Sequence, residues 1–362
     1  MVECEKIWNG ACINFHGYTE SFGNTYTDTL SFSNYFEMSG VKFCGKTTAA
    51  EVGSKFASQC VGKTVLITGS NSGLGLEASR VLALHGAKVI LACRNAKLGE
   101  AALGKLKESQ SDADVHFLQL DLGDLKSVKK SVDEFKSRFS KLDILINNAG
   151  VMACPRSLTA DGVETQFGVN HLGHFYLTTL LLPTLTKSGT KDHPSRVVNL
   201  SSMAQFLFAP KEGILFDDLN GDKRYHDWER YGQSKLANVL FSNELNERCK
   251  DKNVISIALH PGVIMSTNLM RYSSFGSLMR MMGSAFKTKG GVSMAFKQRQ
   301  KSIPEGTSTT LVAALNPDVK PGGYYVDCQE TAGTKLHPTA CDKELAKKLW
   351  ETSQELCERL TH

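Results

Sequence analysis

Residues 63–95 read KTVLITGSNSGLGLEASRVLALHGAKVILACRN. A β-rich apolar run, Lys63–Gly69, stops at a glycine. A helical pattern over Gly73–His85 then carries Leu76, Val81 and Leu84 along one side, and a second apolar run follows at Lys88–Cys93. Strand, glycine turn, helix and strand make the repeating unit of a parallel sheet. The turn, Thr68-Gly69-Ser70-Asn71-Ser72-Gly73-Leu74-Gly75, has the form T-G-x-x-x-G-x-G. Its glycines let the backbone bend tightly and approach a pyrophosphate, which would rest on the N-terminus of the next helix.

The alternation continues outward from this unit. A helix is expected over Ala96–Glu108, a strand over Val115–Leu120, a helix over Leu125–Phe139 and a strand over Leu142–Asn147. A long helix follows across Glu164–Thr186, then a strand at Arg196–Ser201, a helix at Tyr231–Lys250 and strands at Val254–Leu259 and Gly323–Asp327. The pattern predicts an α/β, doubly wound fold of about seven parallel strands with helices on both faces. No internal repeat interrupts it.

Composition agrees. Apolar residues make up 41% and charged residues 22% of 362 positions, which excludes a disordered, collagenous or coiled-coil chain. A net charge of +5 is too mild to imply a nucleic-acid partner. The 10 cysteines include no C-x-x-C pair, and Met1–Gly10 carries Glu3, Glu5 and Lys6 rather than a secretory signal. We read reduced thiols in a cytoplasmic protein. Residues 1–56 hold no period and are expected to be a partly disordered extension, with a short helix over Thr47–Phe56. Residues 57–362 are expected to be a single domain.

Chemistry-bearing residues cluster at expected strand ends. The second strand ends at Cys93, then Arg94 and Asn95, with no carboxylate to bond a ribose 2′-hydroxyl. A guanidinium there suits a 2′-phosphate, so NADP is favoured over NAD. Tyr231 and Lys235 stand at i and i+4 on one helix face. A phenol near pKa 10 is a poor base, and a neighbouring ammonium favours its phenolate. Ser202 stands at a strand end, in Asn199-Leu200-Ser201-Ser202, and Asn170 lies inside a largely apolar helix, where its amide either packs structurally or serves the site.

Taken in order, T-G-x-x-x-G-x-G, Asn147-Asn148-Ala149-Gly150, Asn170, Ser202, Tyr231-x-x-x-Lys235 and Pro261-Gly262 resemble the short-chain dehydrogenase/reductase superfamily over about Val61–Leu360. LACRN at 91–95, VNHLGHF at 169–175, SKLANVLFSNEL at 234–245 and LHPGV at 259–263 are similar to its retinol dehydrogenase-like branch. EGTSTTLVAALNP at 305–317 and ELAKKLW at 344–350 also resemble plant and fungal relatives and the WW-domain-containing oxidoreductases.

The resemblance implies a Rossmann-type fold and an NADP(H)-dependent oxidoreductase with no metal. Gly69, Ser72, Gly73, Leu74 and Gly75 would line the pyrophosphate, and Arg94 would meet the 2′-phosphate. Asp121 would meet the adenine amino group, while Asn148, Ala149 and Gly150 would flank the adenosine ribose. Asn147 would steady the sheet. Ser202 would orient the substrate oxygen and Tyr231 would be the general acid/base. Lys235 would bond the nicotinamide ribose and lower the tyrosine pKa, and Asn170 would hold a relay water. After Pro261 and Gly262, Ser266 or Thr267 would reach the carboxamide.

Ser202 and Tyr231 are 29 apart, as the branch's longer insert implies, and Ile214–Leu219 and Tyr225–Trp228 are expected beside the site. Asn268–Lys301 is expected to be a substrate lid: it holds 7 basic residues, no acidic ones and several methionines. Such a lid suits a lipophilic carbonyl or alcohol and peripheral contact with a membrane. The branch's N-terminal anchor helix and paired WW tryptophans are expected to be absent. Family dimers use long helices corresponding to Leu125–Phe139 and Glu164–Thr186, which permits a homodimer unless the C-terminal helix at Lys343–Leu360 covers them. The alternatives in view are an NADP-binding regulatory or scaffold protein with little turnover, and a protochlorophyllide-type double-bond reductase.

Overall fold

The computed structural model describes residues 42–267, 269, 279–281, 299–331 and 335–361. Most of the expected lid and the extension before Lys42 lie outside the described residues. The strands are β1 (Thr64–Thr68), β2 (Lys88–Cys93), β3 (Val115–Gln119), β4 (Ile144–Asn147), β5 (Ser195–Leu200), β6 (Val254–His260), β7 (Tyr324–Val326) and β8 (Gln329–Glu330). They form one sheet in the order β3-β2-β1-β4-β5-β6-β7-β8. The first seven run parallel and β8 pairs antiparallel with β7. The expected parallel sheet is thus present, with one short antiparallel edge added. Chain direction across the sheet reverses between β1 and β4, and the crevice at their carboxyl ends is where such folds bind ligands.

Strand residues alternate between two apolar layers. On one face Val65, Ile67, Val89, Leu91, Ile146 and Ile257 pack under α1 (Ala49–Lys55), α2 (Gly73–Leu84), α3 (Ala96–Ser109) and α8 (Ile303–Leu315). On the other, Leu66, Ile90, Leu118, Leu145 and Val197 pack under α4 (Leu125–Arg138), α5 (Gly173–Ser188), α7 (Asp227–Cys249) and α9 (Lys343–Thr361), with the short α6 (Ala204–Leu207) following β5. Helix α1 is an integral part of the body. Thr48 and Glu51 close it with a reciprocal capping box. A Cβ at Gly53 would stand 2.3 Å from Val81 Cγ1, so α1 and α2 touch closely.

The long helix expected across Glu164–Thr186 is not uniform. One turn, Thr165–Phe167, passes into a π-helical turn, Gly168–Leu172, before α5 begins. The extra residue re-aims Asn170 and His171 inward; π turns recur at functional sites for this reason. Across the sheet, Asn147 Nδ2 donates to Asn199 Oδ1 (2.9 Å) and to Thr178 Oγ1 (3.1 Å). Asn199 Nδ2 donates to Ser256 Oγ (2.9 Å), which meets Ser242 Oγ at 2.8 Å.

The turn joining β7 to β8 has two residues, Asp327 (φ 54) and Cys328 (φ 65). Two positive φ values suit a type I′ hairpin, which glycine or asparagine usually supplies. Strained residues of this kind cost on the order of 1–3 kcal/mol each. Thr309 Oγ1 offsets part of that cost by accepting the Cys328 N–H at 3.1 Å.

Helix α9 lies across α4, α5 and α7. Trp350 stacks on Phe241 (5.7 Å) and meets Phe175 edge-on (5.0 Å), while Ser353 Oγ bonds His171 Nε2 at 2.9 Å. The C-terminal helix therefore packs over α4 and α5 rather than leaving them open. Trp350→Ala should cost about 3–5 kcal/mol in urea unfolding, whereas exposed Lys347→Ala should stay within about 0.5 kcal/mol. Equal midpoints would show that α9 docks weakly.

Candidate active site

The glycine turn is built for close approach. Gly69 (φ 66) and Gly73 (φ 59) hold left-handed conformations. A Cβ at Gly69 would stand 2.9 Å from Ala149 Cα, and one at Gly75 would stand 2.6 Å from Asn148 Nδ2. The loop after β4 thus lies directly on the turn. Ser72 is the N-cap of α2, yet its side chain makes no capping hydrogen bond. The first-turn N–H groups of α2 are left to an outside acceptor, and these residues fit a dinucleotide pyrophosphate. Leu74 packs into the apolar layer beside Gly306.

Thr68 joins the segments around the turn. Its Oγ accepts the N–H groups of Asn148 and Ala149, both at 2.9 Å, and lies 2.8 Å from His174 Nε2. His174 Nδ1 lies 3.0 Å from the Asn170 carbonyl. A carbonyl can only accept, so Nδ1 carries the proton and the Thr68 hydroxyl donates to Nε2. Burial keeps this imidazole neutral, with its pKa lowered to about 4. Sequence reading assigned no role to Thr68 or His174, although the i, i+4 spacing of Asn170 and His174 was a usable signal.

Asn170 is committed to its neighbours. Its Oδ1 accepts from Val151 N (2.8 Å), and its Nδ2 donates to Val151 O (2.9 Å) and Ser234 Oγ (2.9 Å). The side chain therefore braces Gly150 and α7, and its backbone carbonyl meets His174. A Cβ at Gly150 would lie 3.2 Å from Asn170 Oδ1 and 3.6 Å from Lys235 Nζ. Glycine there keeps the floor beside Lys235 open.

The structure brings Ser202, Tyr231 and Lys235 together. Tyr231 is almost fully buried on α7, with the Ser202 side chain near enough to favour its phenolate. Burial pushes its phenol up to about 12, against the lowering pull of Ser202. Lys235 Nζ donates to Leu200 O at 3.0 Å and lies 5.8 Å from the Tyr231 ring centroid. Burial pulls its ammonium down to about 8. Against the expectation from the i, i+4 spacing, desolvation dominates both groups, although the ammonium lies over the Tyr231 ring as well as on the Leu200 carbonyl.

The remaining predicted residues lie along the same edge. Arg94 is largely exposed, with Nε 4.0 Å from Asp121 Oδ2. Asp121 Oδ1 accepts from Gly123 N at 2.9 Å. After Pro261, Gly262 bends the chain at φ 100. Thr267 Cγ2 lies 3.4 Å from where a Gly73 Cβ would stand, whereas Ser266 is exposed. Thr267 therefore faces the glycine turn.

An apolar wall adjoins Tyr231: Met152, Met203, Leu207, Phe208 and Trp228, with Leu269 and Met281 packed against them. Arg280 pairs with Asp227 at the start of α7 through two contacts, 3.0 and 2.7 Å. The expectation that Tyr225–Trp228 lies beside the site holds for Trp228, whose ring meets Tyr231 edge-on at 6.2 Å. Tyr225 is instead tied to Cys154 O (2.8 Å) and Gln166 Nε2 (3.1 Å), behind the wall.

The family profile described as short chain dehydrogenase matches residues 63–213. The chain is 42% identical over 302 residues to Short-chain dehydrogenase TIC 32 A, chloroplastic, of Brassica napus, covering 82% of this chain and 89% of that protein. It is 43% identical over 300 residues to retinol dehydrogenase 12 of Mus musculus, covering 82% and 87%. A solved structure of an uncharacterized protein from Mycobacterium Paratuberculosis shares 35% identity with a TM-score of 0.61, covering 82% of this chain and 94% of that one.

Thr68→Val should strand the Ala149 N–H, the Asn148 N–H keeping the Ile146 carbonyl at 3.0 Å, and cost about 2–3 kcal/mol in chemical unfolding. Thr68→Ser keeps the hydroxyl and should cost about 1 kcal/mol, the value of one buried methyl. Equal losses would assign Thr68 to packing alone.

Proposed function

The chain belongs to the short-chain dehydrogenase family, in its retinol dehydrogenase-like branch, and from that premise we propose that it interconverts a lipophilic carbonyl and its alcohol with NADP(H). The observation that carries this reading is the convergence of Ser202, Tyr231 and Lys235 beside an apolar wall, at the sheet edge that holds the glycine turn. When bound, the reduced nicotinamide supplies a hydride to the carbonyl carbon.

The chain's own residues handle the proton. At neutral pH Tyr231, with its pKa near 12, keeps its proton and can donate it to a carbonyl oxygen that is becoming an alkoxide. Ser202 supplies a hydroxyl beside the phenol to orient that oxygen. Lys235, with its pKa near 8, is charged below that pH and favours negative charge on the reacting oxygens. The reverse direction needs the phenolate, which burial opposes. These states favour reduction at neutral pH and oxidation at alkaline pH.

Cofactor choice rests on Arg94. It follows the carboxyl end of β2 and is three-quarters exposed, in a position to fork a 2′-phosphate beside the N-terminus of α3. Substrate character rests on the wall: methionine and aromatic side chains adapt to irregular apolar shapes and offer few polar anchors. Of the named relatives, retinol dehydrogenase 12 supports a lipophilic substrate, with retinal among the candidates.

NADPH oxidation across medium-chain, aromatic and retinoid aldehydes and ketones tests the reading. Tyr231→Phe should lower kcat by about 10²–10⁴-fold. NADPH binding without turnover on any member of the panel would favour a regulatory role instead. Arg94→Ala should weaken NADPH by about tenfold or more and leave NADH nearly unchanged; equal losses would sink the 2′-phosphate assignment. The reduction rate should stay level from pH 6 to about 7.5 and fall above about 8 as Lys235 loses its charge, while alcohol oxidation rises with pH. A reduction rate that climbs through pH 9 would contradict these protonation states.

A further inference from the structure

The turn after β6, assigned above to the nicotinamide end of the cofactor, is laid on a lysine. At Gly262 (φ 100) a Cβ would stand 2.6 Å from Lys301 Cδ and 2.9 Å from Cε. Lys301 N also donates to Val263 O at 2.8 Å. One residue therefore supports the turn through both its backbone and its methylenes. The side chain of Lys301 is only 3% exposed, and its ammonium meets Asp327 Oδ1 at 2.6 Å.

Filling this space does not require a charge. An apolar side chain would occupy the same volume without the desolvation of an ammonium. What the pair adds is direction, because the ammonium must lie where Asp327 puts it. Asp327 is in turn fixed by the two-residue β7–β8 hairpin. Cys328 anchors that hairpin, its N–H on Thr309 Oγ1 and its Sγ 3.1 Å from Ser308 Oγ. On the outer side, Gly45 abuts the carboxylate: a Cβ there would stand 2.8 Å from Asp327 Oδ1. The ion pair thus connects the hairpin, the entering chain and the turn.

We propose that Lys301 and Asp327 are positioning residues, whose ion pair sets the height of Pro261–Val263 and so the fit of the nicotinamide half of the cofactor. This rests on the cofactor reading above. It predicts a defect confined to one half of the dinucleotide.

The test titrates NADPH and 2′,5′-ADP, which lacks the nicotinamide half, against the full chain by calorimetry. The variants are Asp327→Asn, which suits the left-handed turn, Lys301→Met, which keeps the methylenes, and the double variant, which leaves no stranded charge. Each should bind NADPH about tenfold more weakly while 2′,5′-ADP stays within about twofold. The double variant should regain thermal stability without regaining NADPH affinity. Unchanged NADPH binding in the double variant would overturn the proposal. So would equal weakening of both ligands, which marks a merely structural role. A wild-type chain that binds neither ligand overturns the cofactor reading and this inference together.

Discussion

One hydroxyl ties the site end of the molecule together. Thr68 Oγ accepts two backbone N–H groups from the loop after β4 and lies 2.8 Å from a buried imidazole on α5. Backbone donors near a parallel sheet edge have no ladder partner left, and they must be met or cost free energy. Threonine at this position meets them where the strands diverge around the switch point. The glycine turn, the Asn148–Gly150 loop and the π turn that carries Asn170 are thereby held in one frame.

Within that frame, burial decides the electrostatics. The phenol and the ammonium are both nearly sealed from water, and each moves toward its neutral form. The spacing of Tyr231 and Lys235 shows that they share a helix face, but it says nothing of the dielectric around them or of where the ammonium points. Proximity alone suggests an ammonium that lowers the phenol pKa, whereas in the packed structure burial raises it.

The alternation of β-rich runs with amphipathic helices revealed the fold, because strand and helix periods differ and most strands here are buried on both faces. The motif residues revealed the site, because glycine, serine, tyrosine and lysine recur at strand ends and on one helix face. Other features left little trace. The π turn is one extra residue in a helix of ordinary composition. The β7–β8 hairpin uses Asp327 and Cys328, of which only Asp327 is an ordinary turn residue, and no glycine marks the turn. The pairs Lys301–Asp327 and Arg280–Asp227 join residues far apart in the chain, and single-sequence reading sees only local spacing.

The polar chain from Asn147 through Asn199 to Ser256 bears on how the sheet finds its alignment. Strands such as Thr64–Thr68 and Ile144–Asn147 are buried along their whole length. Their apolar side chains would pack nearly as well after slipping past a neighbour, because neither face is penalised. A slip of two residues keeps every side chain on its own face, yet it would strand an amide in hydrocarbon at the cost of an unmade hydrogen bond. The amides and hydroxyls therefore act as alignment pins. They keep the ends of β4, β5 and β6 level, so that groups contributed by separate strands arrive at one depth.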